Sequence, residues 1–60
     1  MDETLLKLSE KIKDLRSISE EIVKIGGHIQ TVNKNMKKIF ANIRMLELNV
    51  SDLIELEKKG

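Results

Sequence analysis

The chain has 60 residues, 35% of them charged, a net charge of +1, no cysteine and one aromatic residue, Phe40. A chain this short leaves much of its surface exposed when it folds alone, and without disulfides we expect oligomerisation to supply the missing stability. The small net charge argues against a protein directed at polyanions, and no apolar run approaches the ~20 residues of a membrane span. The acidic N-terminus lacks the apolar segment of a signal peptide, so we expect an intracellular protein.

The N-terminal segment has helical spacing with one irregularity. Its apolar residues fall three or four positions apart, at Leu5, Leu8, Ile12, Leu15 and Ile18. Two three-residue steps meet in this series, and such a step locally overwinds a coiled coil. We therefore predict one helical domain over residues 1–60 with a local phase shift at 12–18.

From residue 15 onward the apolar residues repeat at alternating steps of three and four, which is the pattern of a coiled-coil seam. Ile and Val at both core positions of the heptad favour three strands over two. We predict an all-α protein, a single long helix that forms a parallel trimeric coiled coil. Its predicted oligomer interface is Leu15, Ile18, Ile22, Ile25, Ile29, Val32, Met36, Ile39, Ile43, Leu46, Val50 and Leu53.

Gly26 and Gly27 lie near the middle of the chain and allow two architectures. Glycine is a weak helix former and often follows the last residue of a helix, so the pair is compatible with a turn. However, the seam keeps its phase across the glycines, and no Ser, Thr, Asp or Asn directly follows them to cap a second helix. We favour the continuous helix, roughly 80 Å long. The alternative is an αα-hairpin with its turn at Gly26-Gly27 that dimerises into a four-helix bundle.

Two sets of polar residues flank the seam. Amides beside a helix interface can hydrogen-bond between helices, so we interpret the seven-residue repeat of Asn35, Asn42 and Asn49 as a device that sets register. The second set is a basic stretch that we interpret as a solvated surface. It consists of Lys34, Lys37, Lys38 and Arg44. A helix that binds nucleic acid or an anionic surface through this stretch is the alternative function, although its charge is modest and it lacks aromatic residues for base stacking.

No group of residues predicts catalysis or a bound cofactor. The chain has a single histidine, His28, no cysteine and no glycine-rich phosphate loop. One histidine does not make a zinc site, and no nucleophile stands beside it in the sequence. We therefore predict a protein that is not an enzyme, with no catalytic, metal-binding or cofactor-binding residues.

Two short stretches resemble known families of small coiled-coil proteins. Over residues 43–53, Ile43-x-x-Leu46-Glu47-x-Asn49-Val50-x-Asp52-Leu53 resembles the coiled coil of the heat-shock-factor-binding protein family, whose members are short, helical and trimeric. Over residues 33–46, Ile39-Phe40-x-x-Ile43-Arg44-x-Leu46 is similar to the stretch after the signature of the KxDL family. The signature positions read Asn33-Lys34-Asn35-Met36 here. The first resemblance implies a regulator that engages other coiled coils, and the second implies a small complex subunit.

The heptad pattern and both resemblances indicate the same class of function. We predict a non-enzymatic coiled-coil protein that self-associates, or that acts as a small subunit or regulator in a larger helical complex. Its expected partners are copies of itself or other coiled-coil chains, rather than nucleic acid or a membrane.

Overall fold

The computed structural model describes residues 3–59, which form two α-helices joined by a short turn. The first helix, α1, spans Glu3–Gly26, and the second, α2, spans Gln30–Lys59. They pack antiparallel as a hairpin 46 Å long and 15 Å wide between outermost Cα atoms. The all-α prediction is confirmed. Of the predicted 1–60 domain, Met1, Asp2 and Gly60 lie outside the described residues.

The architecture is the hairpin that the sequence offered as the alternative, and the continuous helix is interrupted at residues 27–29. The turn is held by main-chain bonds. The Gly27 amide donates to the Val23 carbonyl over 2.8 Å, and the Ile29 amide donates to the Gly26 carbonyl over 3.0 Å. The backbone thus bends within three residues while its polar groups near the turn stay hydrogen-bonded.

The second helix begins without a conventional capping residue. Ile29 precedes it and accepts the first helical bond from the Asn33 amide, and the Asn33 side chain donates back to the Gly27 carbonyl over 3.3 Å. The missing Ser, Thr, Asp or Asn had argued against a second helix. In the structure α2 begins without such a residue, and the Asn33 side chain stabilises the turn by bonding to the Gly27 carbonyl. The absence of a capping residue therefore did not exclude a second helix.

Gly27 is required for space rather than for an unusual backbone angle. Within residues 3–59 no glycine has a positive φ. A Cβ at Gly27 would lie 2.5 Å from the Val23 carbonyl oxygen, far inside van der Waals contact. A Cβ at Gly26 would meet only ordinary contacts, the nearest being Val32 Cγ1 at 3.8 Å. Gly27 is therefore the residue that lets the chain reverse here.

The contact between the helices is narrow. Six of the described residues are buried in it, three from each helix. They are Leu5, Ile12 and Ser19 of α1 and Met36, Ile43 and Val50 of α2. Phe40 and Ile54 pack against this set from α2 and are only partly covered. We call this contact the inner face.

The phase shift predicted at 12–18 coincides with a change of face along α1. Leu5 and Ile12 belong to the inner face, whereas Leu15 and Ile18 are exposed on another side of the same helix. The helix itself runs through these residues without a break. The irregular spacing therefore combines residues from two separate apolar rows, each of which is regular by itself.

Candidate helix-docking surface

The most extensive apolar surface of the hairpin is exposed to solvent. It combines a row from each helix, and its members are Leu8, Leu15, Ile18, Ile22 and Ile25 of α1 with Ile39, Leu46 and Leu53 of α2. Their exposed fractions run from 39% at Ile39 to 80% at Ile25. We call this set the outer apolar face. Single exposed apolar residues are common on proteins, but a row that follows both helices is typical of surfaces that contact a partner.

Both rows lie on the same side of the hairpin. Successive residues of an α-helix are about 100° apart, so each exposed row lies roughly a quarter turn from the inner face, in the same angular sense on both helices. Because the helices are antiparallel, equal senses of rotation carry the two rows to one side. The outer apolar face is therefore one continuous surface along the hairpin rather than two separate stripes.

The structure divides the predicted oligomer interface between the two faces. Met36, Ile43 and Val50 are buried against α1, and Val32 is half-buried. The other predicted residues are exposed, and seven of them belong to the outer apolar face; the eighth, Ile29, lies in the turn. Leu8 also belongs to that face, and the sequence pattern had placed it outside the seam. Adding its position to the regular spacing upstream of Leu15 would have identified it.

Asn35, Asn42 and Asn49 are all exposed on α2, as expected for residues that flank an interface. Their seven-residue spacing places them in a row beside Ile39, Leu46 and Leu53, on the side of the outer apolar face away from α1. Each amide has two donors and an acceptor oxygen. The row therefore forms a polar edge to the exposed apolar surface, and its role in setting register stays a prediction.

A bidentate ion pair links the two helices at the inner face. Arg16 Nε donates to Glu47 Oε2 and Arg16 Nη2 donates to Glu47 Oε1, each over 2.8 Å. The guanidinium carbon also lies 5.8 Å from the centre of the Phe40 ring, within range of a cation–π contact. The side-chain hydrogen bond, with the charge of Arg16, holds the pKa of Glu47 below its ordinary value, and the same bond raises the pKa of Arg16.

Ser19 is the most deeply covered polar residue of the described chain, with 2% of its surface exposed. Its hydroxyl donates to the Leu15 carbonyl one turn earlier over 2.8 Å, so the polar group is satisfied within its own helix. A small side chain here lets α2 approach closely. The sequence analysis did not identify Arg16, Ser19 and Glu47, because it considered the spacing of apolar residues only. On α1 the residues nearest to α2 keep a spacing of three and four but include the charged Arg16 and the small polar Ser19.

The basic stretch of Lys34, Lys37, Lys38 and Arg44 is exposed, and none of its residues belongs to the outer apolar face. On the side of the hairpin opposite that face, an open groove of about 450 Å³ runs between the helices, lined largely by polar residues such as Ser9, Lys13 and Ser51. The groove has no deeply buried polar group directed into it. Neither feature forms an enclosed pocket.

Residues 3–59 contain neither a cluster of metal-ligating side chains nor a membrane-spanning helix. No three His, Asp or Glu side chains converge as metal ligands do. Neither helix contains a stretch long and apolar enough to cross a bilayer.

Comparisons with protein-family models, curated proteins and solved structures find no match to this chain. The resemblances noted over residues 33–46 and 43–53 therefore stay predictions. The two faces of the hairpin are the features that bear on its function.

Proposed function

We propose that the chain is a non-enzymatic assembly protein that buries the outer apolar face against other helices, either by self-association or as a small subunit of a larger helical complex. The observation that carries this proposal is the continuous exposed row of eight Leu and Ile side chains along both helices. An amphipathic helix normally turns such a row toward a neighbour. In the single hairpin the row has no neighbour.

The energetics favour a partner for this face. Complete burial of a Leu or Ile side chain stabilises by ~1.5–3 kcal/mol, so a side chain that is already about half covered gains roughly 1 kcal/mol when a partner covers the rest. Eight such residues would add roughly 8 kcal/mol, which is comparable with the contribution of the five buried apolar side chains of the inner face. Small domains commonly obtain the stability that a thin core lacks through oligomerisation.

The proposal is tested with two lysine substitutions on α2. Leu46 and Leu48 are 43% and 45% exposed, but only Leu46 belongs to the outer apolar face. We expect Leu46→Lys to abolish assembly, since a charge would be buried in the contact, and Leu48→Lys to leave it intact. The readout is the solution mass from size-exclusion chromatography with light scattering. Refractive index supplies the concentration, because the chain has no Trp or Tyr.

If the unsubstituted chain assembles and Leu46→Lys and Leu48→Lys change its mass equally, or if neither changes it, the outer apolar face is not the assembly surface. Circular dichroism controls for folding, since both substitutions lie at exposed positions and should leave helix content unchanged. The measured mass also decides strand number. A mass of two chains fits paired hairpins, and a mass of three chains fits the trimer expected for a continuous helix.

A second candidate function rests on the basic stretch, whose four residues are exposed and lie outside the outer apolar face. Phosphate-directed binding weakens steeply as salt rises. Titration with duplex DNA and with anionic vesicles at two salt concentrations tests it. Salt-sensitive binding that disappears when Lys34, Lys37, Lys38 and Arg44 are all neutralised would favour this candidate over assembly alone.

A further inference from the structure

We infer that the occupant of the outer apolar face is a second copy of this chain, seated face to face about a two-fold axis perpendicular to the helices. In this arrangement α1 packs on α1 of the second copy, α2 packs on α2, and the two turns lie at opposite ends. The inference rests on the proposed function and specifies its partner and geometry. The exposed area of the hairpin and the residues at the two edges of the outer apolar face carry it.

The exposed area of the chain fits one missing partner. The hairpin exposes 4899 Å², whereas a compact monomer of 6.9 kDa exposes roughly 4000 Å². The excess is close to the ~800 Å² that each partner contributes to a standard stable interface. The broad side of the hairpin, 46 Å by 15 Å, provides a surface of this size. One further hairpin therefore suffices to cover the exposed row.

Two arrangements pair identical faces about a two-fold axis. An axis parallel to the helices places α1 against α2 of the second copy, with both turns at one end. An axis perpendicular to the helices places each helix against its own counterpart, with the turns at opposite ends. Both bury the same residues. They differ in which edge of one face meets which edge of the other.

The edges of the outer apolar face favour the perpendicular axis. The α2 edge carries Asn35, Asn42 and Asn49, whereas the α1 edge carries Lys11 followed by Ile18 and Ile25. A parallel axis would bring these isoleucines over amides of the α2 edge and leave amide groups without partners, which is unfavourable. A perpendicular axis brings amides against amides, which pair with one another because each is both donor and acceptor. It also brings isoleucines together on the opposite edge.

The distance between the two turns distinguishes the arrangements. The chain has no cysteine, so His28→Cys in the exposed turn provides one attachment point for a spin label per copy. The perpendicular axis predicts a label-to-label distance near the 46 Å length of the hairpin, measured by pulsed electron paramagnetic resonance. The parallel axis predicts a distance under roughly 20 Å, because packed helices lie only 8–10 Å apart.

The outcomes separate the inference from the proposed function. Assembly that Leu46→Lys breaks, combined with a short distance between the labels, overturns the perpendicular arrangement and leaves the proposed function in place. A chain that stays monomeric, or whose mass corresponds to three chains, overturns the second copy as the occupant. An assembled chain whose mass neither lysine substitution changes overturns the proposed function itself.

Discussion

The inner face and the outer apolar face use the same two helices in opposite ways. The inner face is closed, yet it includes an ion pair, a buried serine and only a few apolar side chains. The outer apolar face is open, yet it contains only Leu and Ile and follows the more regular repeat. Seven of the twelve residues in the heptad pattern of the sequence therefore belong to a surface that the single chain does not cover.

The difference shows that the regularity of a heptad does not reveal which contact it serves. Contacts within the hairpin include a long-range pair, Arg16 with Glu47, and a small residue, Ser19, that lets the neighbouring helix approach. The proposed assembly face needs neither an ion pair nor a small residue of this kind, because a repeated apolar row is enough to attract another helix. Four pairs of measurements test this division.

The largest expected effect separates two isoleucines four residues apart. Ile43 is 1% exposed on the inner face and Ile39 is 39% exposed on the outer apolar face. We expect Ile43→Ala to lower the free energy of unfolding by ~2–5 kcal/mol, because it leaves a cavity in a thin core. Ile39→Ala should mainly weaken assembly. Urea denaturation at low and high protein concentration measures both. If both variants lose the same free energy of unfolding at both concentrations, a single continuous coiled-coil interface would be favoured instead.

The turn provides the next comparison. Gly27→Ala should destabilise the hairpin by about 1–3 kcal/mol, because its Cβ would meet the Val23 carbonyl oxygen. Gly26→Ala lies at the end of α1 in open space and should be neutral or stabilising by up to ~1 kcal/mol. Thermal unfolding followed by circular dichroism compares the two variants. A continuous helix would be stabilised by both changes.

Ser19 tests how closely the two helices approach. Ser19→Leu should destabilise by roughly 1–2 kcal/mol, since 2% exposure leaves no room for a larger side chain. Ser19→Ala should change stability little, because the hydroxyl bonds only to its own helix. Chemical denaturation of both variants provides the test. In a continuous trimer residue 19 lies off the seam, so Ser19→Leu without cost would contradict the hairpin.

The smallest effect concerns pH. Because the pKa of Glu47 in the folded chain is lowered from its ordinary value of 4.5, its pairing stabilises the hairpin above about that pH. This contribution is lost as the pH falls through the lowered pKa. We expect Glu47→Gln to reduce the urea midpoint at pH 7 and to differ less from the native chain at pH 3. If the urea midpoints of Glu47→Gln and the native chain differ by the same amount at both pH values, the ion pair makes no contribution.

Much of the fold could be predicted from local signals. Apolar spacing and the absence of proline predicted helix almost throughout, and Gly26-Gly27 gave the position of the alternative turn. The choice between the architectures was wrong for a physical reason. The phase of the seam across the glycines had argued for continuity, but the residues that keep that phase, Ile25 and Ile29, are exposed beside the turn. Neither isoleucine is buried in the contact between the helices.

The candidate surface was predicted only in part. Seven members of the outer apolar face were in the predicted interface, whereas Met36, Ile43 and Val50 belong to the inner face. Which apolar residues face inward depends on the antiparallel packing of α1 on α2, and that packing depends on contacts between residues 31 positions apart, such as Arg16 and Glu47. Spacing along one helix contains no information about such contacts.

The thinness of the inner face has a thermodynamic consequence. A hairpin that gains much of its stability from a second molecule has no stability independent of concentration, since association adds about 1.4 kcal/mol for each tenfold rise in chain concentration. Assembly through the outer apolar face would make the melting temperature rise with concentration. The amount of this protein that a cell makes would then help to determine what fraction of it is folded.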